Sequence, residues 1–213
     1  MSIKVRKNQP YDPVSDGSGG GYYQMSVASG LVTGIAANST LFSLRWAPVP
    51  VNNRLARFEL KYFKVNAIIT TGFTGAQLCD FLSFVQKSFT ASDSGGNQVI
   101  PAAGDQKRQQ RFPDSLFLTG GDIRIASTGA LTAGTRTAEA QPSDSAQFWA
   151  TSAGTGGGFS VPLVEKLDEH HVPLVLEANE GFTFQNVTAF GAAGVMKFWF
   201  DMGWMEAYEP GAW

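Results

Sequence analysis

Alternating apolar and polar positions dominate this chain, and they predict strands. Ala56 to Thr71 is the longest such stretch: Phe58, Leu60 and Tyr62 alternate with Arg57, Glu59 and Lys61, after which Phe63, Val65, Ala67 and Ile69 carry the apolar side onward. The apolar parity changes at Tyr62-Phe63, which predicts a bulge or a strand passing from one environment to another. Leu41 to Trp46 reads as a short strand stopped by Pro48 and Pro50, which have no N–H for a sheet ladder. Leu78 to Phe89 fits a helical stripe or a strand, and its aromatic content in a β-rich context favours the strand. Further strands are expected at Leu116–Thr119, Asp122–Ala126, Thr135–Ala140 and Ala146–Thr151, with turns such as Asp93-Ser94-Gly95-Gly96-Asn97 between elements and a Gly-rich loop from Gly154 to Gly158. Val161 to Val172 is the one stretch that reads as a helix. Pro173 to Asn186 alternates on both sides of a Glu-Gly corner and predicts a hairpin, and Gly194–Ala207 predicts a final strand.

Together these elements predict an all-β fold, an antiparallel β-sandwich or jelly roll with an extended N-terminal arm. Residues 1–24 read as that arm, because three early basic residues, Pro10-Tyr11-Asp12-Pro13 and Asp16-Gly17-Ser18-Gly19-Gly20-Gly21 offer little apolar area to bury. Residues 25–213 read as a single sandwich domain, a size that buries roughly 70% of the unfolded surface.

Composition sharpens the picture in one respect. Only 16% of the 213 residues are charged, against roughly 25% in an average soluble protein, while 16 phenylalanines and five tryptophans supply a core. A surface so poor in charge suits a protein that is packed inside an assembly. The net charge of −2 argues against a nucleic-acid partner. Along the chain, residues 1–64 are net positive and residues 165–213 net negative, which predicts head-to-tail steering between subunits. The lone Cys79 forbids an internal disulfide, reads as a small buried hydrophobe and fits manufacture in a reducing cytoplasm. The start lacks the apolar segment of a signal peptide, and no apolar run is long enough to span a bilayer, so no membrane partner is expected.

Candidate chemistry is sparse. Asp168-Glu169-His170-His171 invites a metal reading, but consecutive residues of an extended segment point to opposite sides, so the expectation is a polar loop and no metal. Glu177 and Glu180 could pose as an acid/base pair; their place at a hairpin corner predicts a structural role instead, with Glu180 bonding turn amides and Gly181 supplying a positive φ or a close approach. No nucleophile elbow, zinc-protease motif or phosphate loop is present, so no catalytic residue, cofactor or small-molecule substrate is assigned. Trp46, Trp149, Trp199, Trp204 and Trp213 could stack on sugars; Trp199 and Trp204 read as core and Trp213 as an interface anchor.

Three blocks carry a resemblance. Ser88-Phe89-Thr90-Ala91-Ser92-Asp93-Ser94-Gly95-Gly96, then Asp122 to Thr137 (DIRIASTGALTAGTRT), then Pro173 to Asn186 (PLVLEANEGFTFQN) resemble segments of tailed-bacteriophage virion structural proteins of the capsid decoration or cement type. The resemblance implies a non-enzymatic β-sandwich on the capsid surface that binds the major capsid protein and copies of itself, with a trimer as the favoured homo-oligomer. It transfers no functional residues. On physical grounds, Ile3, Lys4, Val5, Arg6 and Tyr11 of the arm, together with Trp213, are the expected partner-interface residues. Other virion positions (a head fibre, neck or tail protein) and a carbohydrate-binding sandwich are the alternatives.

Overall fold

The computed structural model describes residues 21–48, 56–99, 120–150, 158–164 and 174–208. Among them lie thirteen strands: β1 (Gly21–Ala28), β2 (Val32–Thr33), β3 (Thr40–Trp46), β4 (Ala56–Thr71), β5 (Gln77–Ala91), β6 (Asn97–Gln98), β7 (Asp122–Ile125), β8 (Thr135–Ala138), β9 (Asp144–Ala150), β10 (Gly158–Val164), β11 (Leu174–Leu176), β12 (Glu180–Asn186) and β13 (Val195–Tyr208). They form two antiparallel sheets. The first runs β1-β13-β4-β10, with β2 also on β13 and β11 also on β4; the second runs β6-β7-β3-β12-β5-β8, with β9 also on β5.

The pairing is nested. Taking β1, β3, β4, β5, β9, β10, β12 and β13 as the main strands, the first pairs with the last (β1 with β13) and the second with the seventh (β3 with β12). The third pairs with the sixth (β4 with β10) and the fourth with the fifth (β5 with β9). That is a long antiparallel hairpin rolled over on itself, the eight-stranded jelly roll.

Aromatic side chains from the facing sheets fill the space between them. Phe63 of β4 lies 4.9 Å from Phe42 of β3 and 5.0 Å from Phe182 of β12, ring centroid to centroid. Phe81 of β5 meets Phe198 of β13 at 5.6 Å, and Trp46 meets Phe58 at 5.4 Å. All of these rings are fully buried, and each contributes about 1.5–3 kcal/mol by leaving water.

The predicted bulge in β4 is present. Leu60 pairs with Trp204 and Tyr62 with Gly203, so Lys61 is the extra residue. It lets Phe58 and Leu60 share the buried side with Phe63, Val65, Ala67 and Ile69. The ambiguous stretch from Leu78 to Phe89 lies within β5, a strand.

Three expectations change. Val161 to Val164, read as the start of a helix, belong to β10 and pair with β4. Pro162 is compatible with that place, because β10 is an outer strand, where a sheet tolerates proline. Pro173 to Asn186 is not a hairpin within one sheet: β11 pairs with β4 in the first sheet, whereas β12 pairs with β3 and β5 in the second. The Glu-Gly corner therefore carries the chain from one sheet across to the other. Residues 21–24, read as the end of the arm, form the first half of β1 and pair with Gly203–Glu206. The expected Leu116–Thr119 strand, the Gly154–Gly157 part of the glycine loop and residues 165–172 lie outside the described residues, as does the rest of the arm.

Candidate functional site

The interface residues expected from the sequence, Ile3, Lys4, Val5, Arg6, Tyr11 and Trp213, lie outside the described residues, as do Asp168, Glu169, His170 and His171. Among the described residues, no group of three or more His, Cys, Asp or Glu side chains is placed to hold a metal ion. No helix among them is long and apolar enough to cross a membrane.

The two corner carboxylates are used structurally. Glu180 Oε2 accepts the Glu177 N–H at 2.8 Å, and the Glu180 N–H donates to the Glu177 carbonyl at 3.0 Å, closing the turn. Glu177 itself pairs with Arg57 Nε at 2.8 Å, both side chains half exposed. The positive φ of this corner is at Asn179, 65°, a residue that tolerates the left-handed region. Gly181 supplies the close approach: a Cβ there would collide with the Leu44 carbonyl and the ring of Phe89.

That contact leads to a second buried cluster, on the outer face of the second sheet. Phe89 is fully buried yet stands apart from the main core. Arg136 of β8 sits opposite it, with the guanidinium carbon 5.6 Å from the ring centroid. Arg136 Nε approaches Asp93 Oδ1 at 3.3 Å, and Nη2 donates to Thr40 Oγ1 at 2.6 Å. Asp93 Oδ1 also accepts the Gly134 N–H at 2.8 Å. From β3, Arg45 donates to the Phe89 carbonyl (2.6 Å), Ser92 Oγ (3.4 Å) and Asn179 Oδ1 (3.1 Å). Asp93 has no side-chain exposure and Arg136 only 11%. Burial lowers the Arg136 pKa and the Asp93 charge raises it again; the guanidinium remains charged.

Each of the three sequence blocks contributes to this knot: Phe89, Ser92 and Asp93 from the first, Gly134 and Arg136 from the second, Asn179 and Gly181 from the third. Ser94 and Thr132 exchange two backbone hydrogen bonds at 2.9 Å, and the Phe89 N–H donates to the Asn179 carbonyl at 2.6 Å. Sequence reasoning placed Asp93 in a turn and Arg136 in a strand without joining them. Nothing in the local pattern linked the two; the signal was that each lies in one of the three distinctive blocks.

The four described tryptophans separate into three environments. Trp46 and Trp204 are fully buried, and Trp204 Nε1 donates to Glu206 Oε1 at 2.9 Å. Trp199, read as core, is instead half-buried on the outer face of the first sheet, with Lys197 Nζ 5.3 Å from its ring centroid. Trp149 on β9 is 64% exposed, opposite Leu78 of β5, which is 38% exposed. The lone Cys79 faces the core with no exposure, and desolvation pushes its thiol pKa up.

Charge also redistributes. The positive N-terminal and negative C-terminal stretches interleave in the first sheet, where Lys64 lies opposite Asp201 and Arg57 pairs with Glu177. No protein-family model matches the chain, and no curated protein matches it.

Proposed function

We propose that this chain is a non-enzymatic structural protein of a tailed-phage virion, a capsid decoration or cement protein that binds major-capsid subunits and copies of itself on the capsid surface. The observation that carries this reading is the convergence of the three phage-like blocks on one buried knot. Segments far apart in the sequence resemble such proteins, and they are the segments that hold one another through Asp93, Arg136, Arg45 and Asn179.

The jelly roll is consistent with it, since this architecture serves viral capsid and lectin domains among others, although a fold alone does not fix a function. Few charges at the surface and a core filled by aromatic rings suit a rigid module that contributes buried contact area. Residues 1–20 lead directly into β1, an outer strand of the first sheet. On this reading the segment that enters there lies across a neighbouring subunit, by strand addition or as a clamp.

Pelleting with empty heads of the parent phage that lack this protein tests the proposal. The full chain is expected to co-pellet to a saturable ratio. A chain without residues 1–20 is expected to keep its β-type circular dichroism and to bind more weakly. Failure of the full chain to pellet with heads contradicts the capsid assignment, and equal binding by the shortened chain contradicts the role of the arm alone.

A further inference from the structure

We propose that residues 131–138, which carry β8, form a strap that lifts off the outer face of the second sheet as one unit while both sheets stay folded, with the Asp93–Arg136 pair as its clasp. β8 is a four-residue outer strand, paired with β5 among the described residues. Its ladder is interrupted twice, between Gln86 and Ser88 and again between Phe89 and Ala91, and each irregularity leaves a residue unpaired. Of residues 131–138, Leu131 alone is buried, while Thr132, Ala133, Thr135, Thr137 and Ala138 are exposed. Few apolar contacts and a broken, exposed ladder are the features of a segment that opens at lower free energy than the whole fold.

What holds the strap is polar. Arg136 reaches Asp93 and Thr40, Gly134 donates to Asp93, and Thr132 bonds with Ser94. The Leu131 N–H donates to the Thr40 carbonyl at 2.9 Å. The clasp is incompletely satisfied, because Asp93 Oδ2 and Arg136 Nη1 are both buried with no hydrogen-bond partner among the described residues. Each bare polar atom disfavours the closed form, since water satisfies it once the strap lifts. A buried pair of this kind is strongly missed when one member is removed, yet adds little net stability when intact. The closed strap is therefore specific in position and modest in net energy.

The ends of the segment suit a hinged motion. A Cβ added at Gly129, just before the strap, would meet nothing within 4 Å. Just after it, the Glu139 N–H is fixed on the Val85 carbonyl at 2.9 Å. The pairings of β3 with β12, β12 with β5 and β4 with β13 use no residue of the strap, so they survive its opening. Opening uncovers Phe89, which lies under the Arg136 guanidinium and outside the main core. The inference does not rest on the virion assignment.

Hydrogen exchange of the full chain, read by mass spectrometry in denaturant well below the unfolding midpoint, tests it. Peptides spanning β8 are expected to exchange at least about tenfold faster than those of β12, with a weaker dependence on denaturant, the mark of a small opening. Asp93→Ala should speed β8 exchange by about a hundredfold or more, the effect of stranding one member of a buried pair. A lock provides the second variant. Ser88→Cys with Thr137→Cys, in a Cys79→Ala background, joins directly opposed positions of β5 and β8. Oxidation of that pair should slow β8 exchange to the rate of β12, and reduction should restore it. β8 peptides that exchange only at the rate of β12 in the wild-type chain, or an oxidised pair that leaves their exchange unaltered, overturn the inference. Unaltered β8 exchange in Asp93→Ala overturns the role of the clasp.

Discussion

At Asp93 a carboxylate without solvent exposure is held by the Arg136 guanidinium and the Gly134 amide. Removing one member leaves the other charge buried and uncompensated, so Asp93→Ala is expected to cost about 3–5 kcal/mol of unfolding free energy in a denaturant titration. Replacing both, Asp93→Ala with Arg136→Met, should recover much of that loss; a double variant no more stable than Asp93→Ala would contradict the account. Cys79 carries a pH prediction. Its folded pKa is raised by burial, so the folded chain keeps a proton that the unfolded chain releases. This contribution is intact below the ordinary thiol range and is lost as pH rises through it toward the raised folded value. Cys79→Ala should flatten the alkaline limb of the stability profile, and a thiol reagent should label wild type only at the rate of unfolding. The buried thiol was legible from its apolar neighbours Leu78 and Phe81. The Asp93 knot was not, because an Asp-Ser-Gly-Gly-Asn run has the same composition whether its aspartate faces water or a distant arginine.

Among the elements, β4 was legible down to its irregularity, since a parity switch in a long alternating stretch has few other physical meanings. β5 and β7 followed the alternation too. The segment before Pro173 misled because Leu163 to Leu167 carries helix-favouring residues, whereas the edge pairing of β10 with β4 is a tertiary effect that propensity does not encode. The corner at Glu177–Glu180 misled for a geometric reason. A hairpin with one buried face and an arch joining two facing sheets both place Leu176, Phe182 and Phe184 toward the same core. Paired cysteines distinguish them in a Cys79→Ala background. Val175→Cys with Glu59→Cys occupies directly opposed positions of β11 and β4, at a spacing a disulfide accepts. That pair should oxidise readily, and Val175→Cys with Gln185→Cys should not; the opposite outcome would restore the hairpin.

For the whole molecule, the strand alternation was enough to give an all-β sandwich, while the nested order of the jelly roll required the pairings themselves. What the described residues present is an aromatic-filled sandwich and an outer strand that residues 1–20 precede directly in the chain. Such a body is suited to stabilising an assembly through repeated contacts, each of modest strength. The most direct measurement is the solution mass of the purified chain, alone and then with empty heads. The account predicts a closed homo-oligomer, with a trimer favoured, that saturates a fixed number of sites on each head. A concentration-independent monomer that leaves the mass of the heads unchanged would contradict it.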